Sequence, residues 1–130
     1  MTKVPVILFV DDDMEDHVFF TEALQKVDDK AECIAVFNGA EALEKLTAME
    51  KKPDYIFLDI NMPIMNGLEC LSNIKKSEKF KDIPVIIYTT YTSIRDTREA
   101  TRLGAKTILN KPYSTKELAG FLERLITKRT

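Results

Sequence analysis

The sequence predicts an α/β fold: one five-stranded parallel sheet with strand order 2-1-3-4-5 and helices on both faces. Three observations carry that prediction. Five short apolar runs recur at intervals of about 22 to 30 residues. Most are continuous rather than alternating, as strands buried on both faces are. Between them lie segments whose apolar residues keep a helical period.

Each element has its own signal. Val6-Ile7-Leu8-Phe9-Val10 is the first run, and Asp11, Asp12 and Asp13 come directly after it. Asp13 stands where it can cap the next helix and meet its dipole. That helix carries Phe20, Ala23, Leu24 and Val27 at i, i+3, i+4 and i+7. Cys33-Ile34-Ala35-Val36-Phe37 is the second run. It ends in Asn38-Gly39 without a charge, which suits an edge strand. Asn38 with Glu41 then opens a helix: the short side chain accepts from an orphan N–H, and the acid three residues on can answer back. Tyr55-Ile56-Phe57-Leu58 stops at Asp59. Asn66 with Glu69 starts the helix striped by Leu68, Leu71 and Ile74. Val85-Ile86-Ile87-Tyr88 stops at Thr89-Thr90, and Ser93 with Asp96 caps the fourth helix. Thr107-Ile108-Leu109 stops at Asn110-Lys111-Pro112. Ser114 with Glu117 begins the last helix, striped by Leu118, Phe121, Leu122 and Leu125. Lys51-Lys52-Pro53 and Lys79-Phe80-Lys81-Asp82 read as loops before strands. Five βα units joined by right-handed crossovers give the flavodoxin-like order.

Length and composition bound the rest. The 130 residues suit one domain, 1–130, without linker, repeat or low-complexity tract, and no output domain is expected. With 45% hydrophobic and 31% charged residues the chain is not a disordered one. Nineteen Lys and Arg against 21 Asp and Glu leave a net charge of -2. A binder of phosphate backbones would be basic, so no nucleic acid partner is expected. Cys33 and Cys70 match no disulfide framework or zinc pattern and read as small core side chains. No apolar stretch approaches the ~18 residues of a membrane span. Met1-Thr2-Lys3-Val4-Pro5 is no signal peptide, so a reducing, cytoplasmic setting is expected.

Parallel strands bring their C-terminal ends to one edge, where ligands bind in open α/β sheets. That edge collects Asp11, Asp12, Asp59, Thr89 and Lys111. Two like charges about 4 Å apart repel by about 4 kcal/mol at an effective dielectric near 20. Such a cluster must take up protons, pair with cations or bind a metal. Lys111 offers one positive charge for three carboxylates. Oxygen-only donors suit a hard cation such as Mg2+, which commonly uses one or two carboxylates together with a phosphate oxygen. A carboxylate nucleophile, Mg2+, a hydroxyl and an ammonium are the parts of phosphoryl transfer to an aspartate. Each residue alone is unremarkable; their joint placement on successive βα units carries the reading.

In these motifs the sequence resembles the receiver domain of two-component response regulators, from about Val6 to Ile126. The resemblance rests on Val10-Asp11-Asp12-Asp13, on Leu58-Asp59-Ile60-Asn61-Met62-Pro63-Ile64-Met65-Asn66-Gly67, on Tyr88-Thr89-Thr90 and on Leu109-Asn110-Lys111-Pro112. It implies a single-domain response regulator in phosphorelay signalling, not an enzyme turning over a metabolite. Asp59 would be the phosphoacceptor. Asp12 would ligate Mg2+ directly, Asp11 through water, and Asp59 and the Asn61 backbone carbonyl would complete the protein's share. Thr89 would hydrogen-bond the phosphoryl group and Lys111 would pair with it. The donor would be a sensor histidine kinase or histidine phosphotransfer protein, and a downstream protein target would read the change. The resemblance also implies a cis bond before Pro112 and a turn or close-packing role for Gly67 and Gly104.

The sequence departs from the family at Ile108, where an aromatic switch residue is usual; Ile108 reads as a core strand residue. Thr90 replaces a smaller residue. Tyr91, two after the site threonine, is expected to shield the acyl phosphate from water. His17 reads as a surface or rim residue. Met62 and Met65 are expected to shape the loop after Asp59. Arg95, Arg98 and Arg102, interleaved with Asp96 and Glu99, read as a solvated face or a docking surface. An alternative is a small Mg2+-dependent phosphatase of the haloacid dehalogenase kind, with Asp11 and Asp13 as its Asp-x-Asp pair. The shortness of the chain and the lack of an acidic ligand after Lys111, other than Glu117 and Glu123 on the last helix, argue against it. No Gly-rich loop succeeds the first strand, which disfavours nucleotide binding.

Overall fold

The computed structural model describes residues 4–127. The outermost limits expected for the domain, and Met1-Thr2-Lys3 at the N-terminus, lie outside the described residues. Strands and helices alternate as β1 (Val6–Val10), α1 (Met14–Val27), β2 (Glu32–Val36), α2 (Gly39–Ala48), β3 (Tyr55–Leu58), α3 (Gly67–Lys76), β4 (Val85–Thr89), α4 (Ile94–Leu103), β5 (Thr107–Asn110) and α5 (Thr115–Thr127). All five strands are parallel in the order β2-β1-β3-β4-β5, as the apolar runs imply. The second strand starts and ends one residue earlier than its apolar run.

Side chains alternate across a strand, and that alternation divides the core in two. Leu8, Val10, Ile56, Leu58, Val85 and Ile87 pack with Ala42 and Leu46 of α2, Leu71 and Ile74 of α3 and Ala100 of α4. Ile7, Phe9, Tyr55, Phe57, Ile86 and Tyr88 pack on the other face with Phe20 and Leu24 of α1 and Leu118 and Leu122 of α5. β1, β3 and β4 sit between the two layers and are almost wholly buried, which explains their unbroken apolar runs. Cys70 is buried in the first layer and Cys33 packs half-buried against the second. Burial pushes their thiols up to about 12 and about 11, so neither is a reactive thiolate.

The caps form where the sequence places them. Asp13, Asn38, Asn66 and Ser93 accept from the N–H of Glu15, Glu41, Glu69 and Asp96, and Ser114 accepts from Glu117. The answering bond of the second cap differs from expectation: Glu41 Oε1 takes the N–H of Phe37, one residue before the cap, at 2.9 Å. Gly104 closes α4 at φ 107, a left-handed conformation open to glycine. Ile108 faces the α2–α3–α4 layer beside Ile87, a strand residue as its type implies.

Candidate functional site

The site begins where β1 and β3 end. Val10 lies opposite Leu58, and the N–H of Asp59 donates to the Val10 carbonyl at 3.1 Å, so the next residues, Asp11 and Asp59, emerge side by side. Asp11 is fully buried and Asp59 is 5% exposed, whereas Asp12 is exposed. One carboxylate oxygen from each of Asp11, Asp12 and Asp59 lies within 4.8 Å of the others. The convergence expected of these three residues is therefore present.

Lys111 reaches the same place from β5. Its backbone N–H donates to the Thr89 carbonyl at 2.8 Å, which holds the strand end in register. The Lys111 Nζ lies 2.6 Å from Asp16 Oδ2, 2.8 Å from Asp11 Oδ2 and 3.3 Å from Asp59 Oδ2. The buried Asp11 Oδ2 is thus paired with the Lys111 ammonium. Its other oxygen accepts from the N–H of Asp13 at 2.9 Å. Burial pushes the Asp11 carboxyl up to about 6, against the opposing pull of Lys111. Burial alone would lower the Lys111 ammonium, but Asp11 and Asp16 outweigh it and hold the group above its ordinary value.

Alternation also explains which groups meet. Asp11, Asp59 and Lys111 continue the side that carries Phe9, Phe57 and Leu109 against α1 and α5. Thr89 belongs to the opposite parity of β4. It is fully buried, and its Oγ1 donates to the Tyr91 carbonyl at 3.3 Å. Asn61 is exposed; its N–H donates to Asp59 Oδ1 at 3.2 Å. Tyr91 is 72% exposed, and Thr90 is exposed as well.

The loop after Asp59 is held from both ends. Gly67 donates its N–H to the Ile60 carbonyl at 2.8 Å. Met62 is buried, and Met65 packs on Gly39 at the start of α2, as expected of residues that shape this loop. Met65 N–H donates to the Pro63 carbonyl at 2.7 Å, closing a γ-turn on Ile64 at φ 69. On α4, Arg102 pairs with Glu99 along the exposed surface.

Two expectations need correction, and one residue enters the site without a motif to mark it. No cis peptide bond occurs among the described residues, so the bond before Pro112 is trans. Trans is the favoured isomer by about 0.5–1 kcal/mol, and Lys111 reaches its partners from this backbone. His17 is not a rim residue: it is 5% exposed and its Nε2 lies 2.7 Å from the Asp11 carbonyl. Positions 17, 20 and 24 share one helix face, and that face packs His17 against Phe9 and Phe37. Asp16 is absent from the site that the sequence motifs mark, yet it makes the shortest contact to Lys111. Its only signal in the sequence is its place in the first turn after Asp13. The phosphatase alternative also weakens, because Asp13 is exposed and its carboxylate is engaged with the N–H of Glu15.

Known proteins resemble this chain in sequence and in fold. Residues 7–123 match the response regulator receiver domain family. The sensor histidine kinase CheAY of Helicobacter pylori is 31% identical over 121 residues, covering 93% of this chain and 15% of that protein. A protein-glutamate methylesterase/protein-glutamine glutaminase of Clostridium acetobutylicum is 35% identical, covering 98% of this chain and 36% of its own length. The chain thus spans only a minor part of these relatives. Among solved structures, the phosphorylated cyanobacterial phytochrome response regulator RcpA superposes with a TM-score of 0.85 at 27% identity, covering 95% and 91% of the two chains. The Mn2+-bound form of the response regulator Rcp1 superposes at 0.81 with 28% identity, covering 93% and 91%. No helix among the described residues is long and apolar enough to cross a membrane. The chain belongs to the response regulator receiver domain family of two-component systems, whose members signal through phosphorylation on an aspartate.

Proposed function

We propose that Asp59 accepts a phosphoryl group from a phosphohistidine on a sensor histidine kinase or histidine phosphotransfer protein. The observation that carries this is the convergence of Asp11, Asp12 and Asp59 within 4.8 Å beside the Lys111 ammonium. Two relatives are named histidine kinases, which supports that class of donor. The similar Rcp1 structure is a Mn2+-bound form, which supports a divalent cation in this chain too. The donor set here is all oxygen, and one oxygen from each of the three carboxylates lies within 4.8 Å of the others, so the residues fit Mg2+. Asp11, Asp12, Asp59 and the Asn61 carbonyl would hold it, and when bound it would supply positive charge to the phosphoryl oxygens.

The chain's own residues do the rest. An Asp59 carboxylate oxygen forms an O–P bond as the donor's N–P bond breaks; the electron pair returns to the imidazole nitrogen, which takes a proton from water. Asn61 steadies Asp59 through its N–H, and Lys111 meets the charge that the phosphoryl group brings. Thr89 turns its hydroxyl from the Tyr91 carbonyl to a phosphoryl oxygen, which links the covalent change to the β4–α4 loop. A two-state surface shift read by a downstream protein target results. Intact mass after incubation with Mg2+ and acetyl phosphate tests the chemistry. A gain of one phosphoryl group is expected, lost on chelation and in Asp59→Asn. Equal gain in Asp59→Asn rejects the assignment.

A further inference from the structure

We infer that Asp16 is the positioning residue of Lys111: it keeps the ammonium in the site when a divalent cation claims the other carboxylates. The inference rests on the metal reading proposed above. It starts from an inequality of distances. Lys111 Nζ lies closest to Asp16, at 2.6 Å, and farthest from Asp59, at 3.3 Å. Both side chains of the closest pair are largely covered, at 26% exposure for Asp16 and 13% for Lys111, so the pair is only partly screened.

Asp16 differs from the other two partners in one respect. Asp11 and Asp59 belong to the set of carboxylates close enough to share an ion, and Asp16 does not. A divalent cation in that set offsets two of its three negative charges and repels the ammonium. With both attractions weakened, Asp16 is the one of the three contacting carboxylates whose hold on Nζ the ion leaves intact. The first turn of α1 fixes its place, because Asp13 caps the helix and the Asp16 N–H donates to the Asp13 carbonyl at 3.1 Å. α1 in turn packs against α5 on the face toward which Lys111 projects. Asp16 is thus carried by a helix and not by a mobile loop. It lets one ammonium and one divalent cation occupy neighbouring positions, as a phosphoryl group with charge to be met on two sides requires.

Removing Asp16 has a defined consequence. In Asp16→Asn, Lys111 leans on Asp11 and Asp59 and competes with the cation for them. Mg2+ affinity then falls for two reasons, loss of a nearby negative charge and competition from Lys111. Only the second depends on Lys111 being present, so a double-variant cycle separates them. Titration calorimetry with Mg2+ on the unphosphorylated chain is the measurement. Asp16→Asn is expected to raise the Mg2+ dissociation constant by about fivefold in the native background and by less than about twofold in Lys111→Met. Equal fold-changes in the two backgrounds overturn the inference. A spectroscopic arm uses the Lys111 side-chain ammonium signal in nuclear magnetic resonance, which a purely structural role would not move. That signal stays protected from solvent exchange in the native chain when Mg2+ is added and loses protection in Asp16→Asn; protection unchanged in Asp16→Asn also overturns it. A native chain that binds no Mg2+ refutes the metal reading instead, so the two failures are distinguishable.

Discussion

Gly67 lies so close to Asp59 that a Cβ on it would overlap the Asp59 backbone carbonyl oxygen. The same added atom would stand 2.7 Å from the Ile60 Cα. The first residue of α3 and the end of β3 are therefore in backbone contact, and the short loop between them sets the position of the Asp59 carboxylate. Gly67→Ala is expected to cost about 1–3 kcal/mol of stability, as overpacking against backbone does. It should also slow phosphoryl uptake. Urea unfolding and the mass assay check the two effects; native stability together with native uptake contradicts the account.

His17 connects the second core layer to the site. It packs between Phe9 and Phe37 and meets the Asp11 carbonyl at 2.7 Å. His17→Ala removes buried ring volume and leaves that carbonyl without its partner. A loss of about 2–4 kcal/mol in urea unfolding is expected. A loss within the ~0.5 kcal/mol typical of surface substitutions would mean that the ring is not held there.

Asp13 separates the receiver reading from the phosphatase alternative. Its carboxylate caps α1 and points at the N–H of Glu15. Asp13→Ala should cost about 1 kcal/mol for the lost cap. Phosphoryl uptake on Asp59 should persist. Loss of phosphoryl chemistry in a folded Asp13→Ala chain would favour the Asp-x-Asp alternative.

The raised Asp11 carboxyl gives a pH dependence of definite sign. Its folded value, about 6, lies above its unfolded value near 4, so between the two the folded chain binds more protons. Through this group, stability of the metal-free chain therefore falls as pH rises from about 4 to about 6, and recovers as pH falls. Asp11→Asn removes that component. The stability gain of Asp11→Asn over the native chain should grow across this window in urea titrations without Mg2+. A difference that does not change with pH would show that Asp11 titrates normally.

Tyr91 stands two residues after the site threonine, and its carbonyl receives the Thr89 hydroxyl. Its side chain is 72% exposed, free to fold over an acyl phosphate. Tyr91→Ala is expected to speed loss of the phosphoryl group severalfold, read by intact mass over time after removal of the donor. An unchanged lifetime rejects the shielding role.

Much of the fold and the site is legible without coordinates, and the reasons are local. The run Val6 to Val10 reads as a buried strand because it is short, rich in β-branched residues and bounded by polar residues, and strands covered on both faces carry such unbroken apolar runs. Asn38, Asn66, Ser93 and Ser114 mark helix starts because each bonds an N–H within its own turn. Asp11, Asp12, Asp59 and Lys111 are legible for a similar reason: parallel strands put their ends on one edge.

His17 and Asp16 are not legible in the same way. A histidine beside an acidic cluster reads as solvated until Phe9 and Phe37, from two strands and their ends, close around it. Asp16 reads as one more acid in a first turn until α1 meets the end of β5, 95 residues away.

Local hydrogen bonding and the period of the apolar residues, both short-range properties, determined the elements, their order and the edge where the acids gather. Tertiary packing alone decided which carboxylate lies nearest the lysine and that the single histidine is buried. Those outcomes depend on distances between segments far apart in the chain, and pairwise electrostatics and burial act only once the layers have closed.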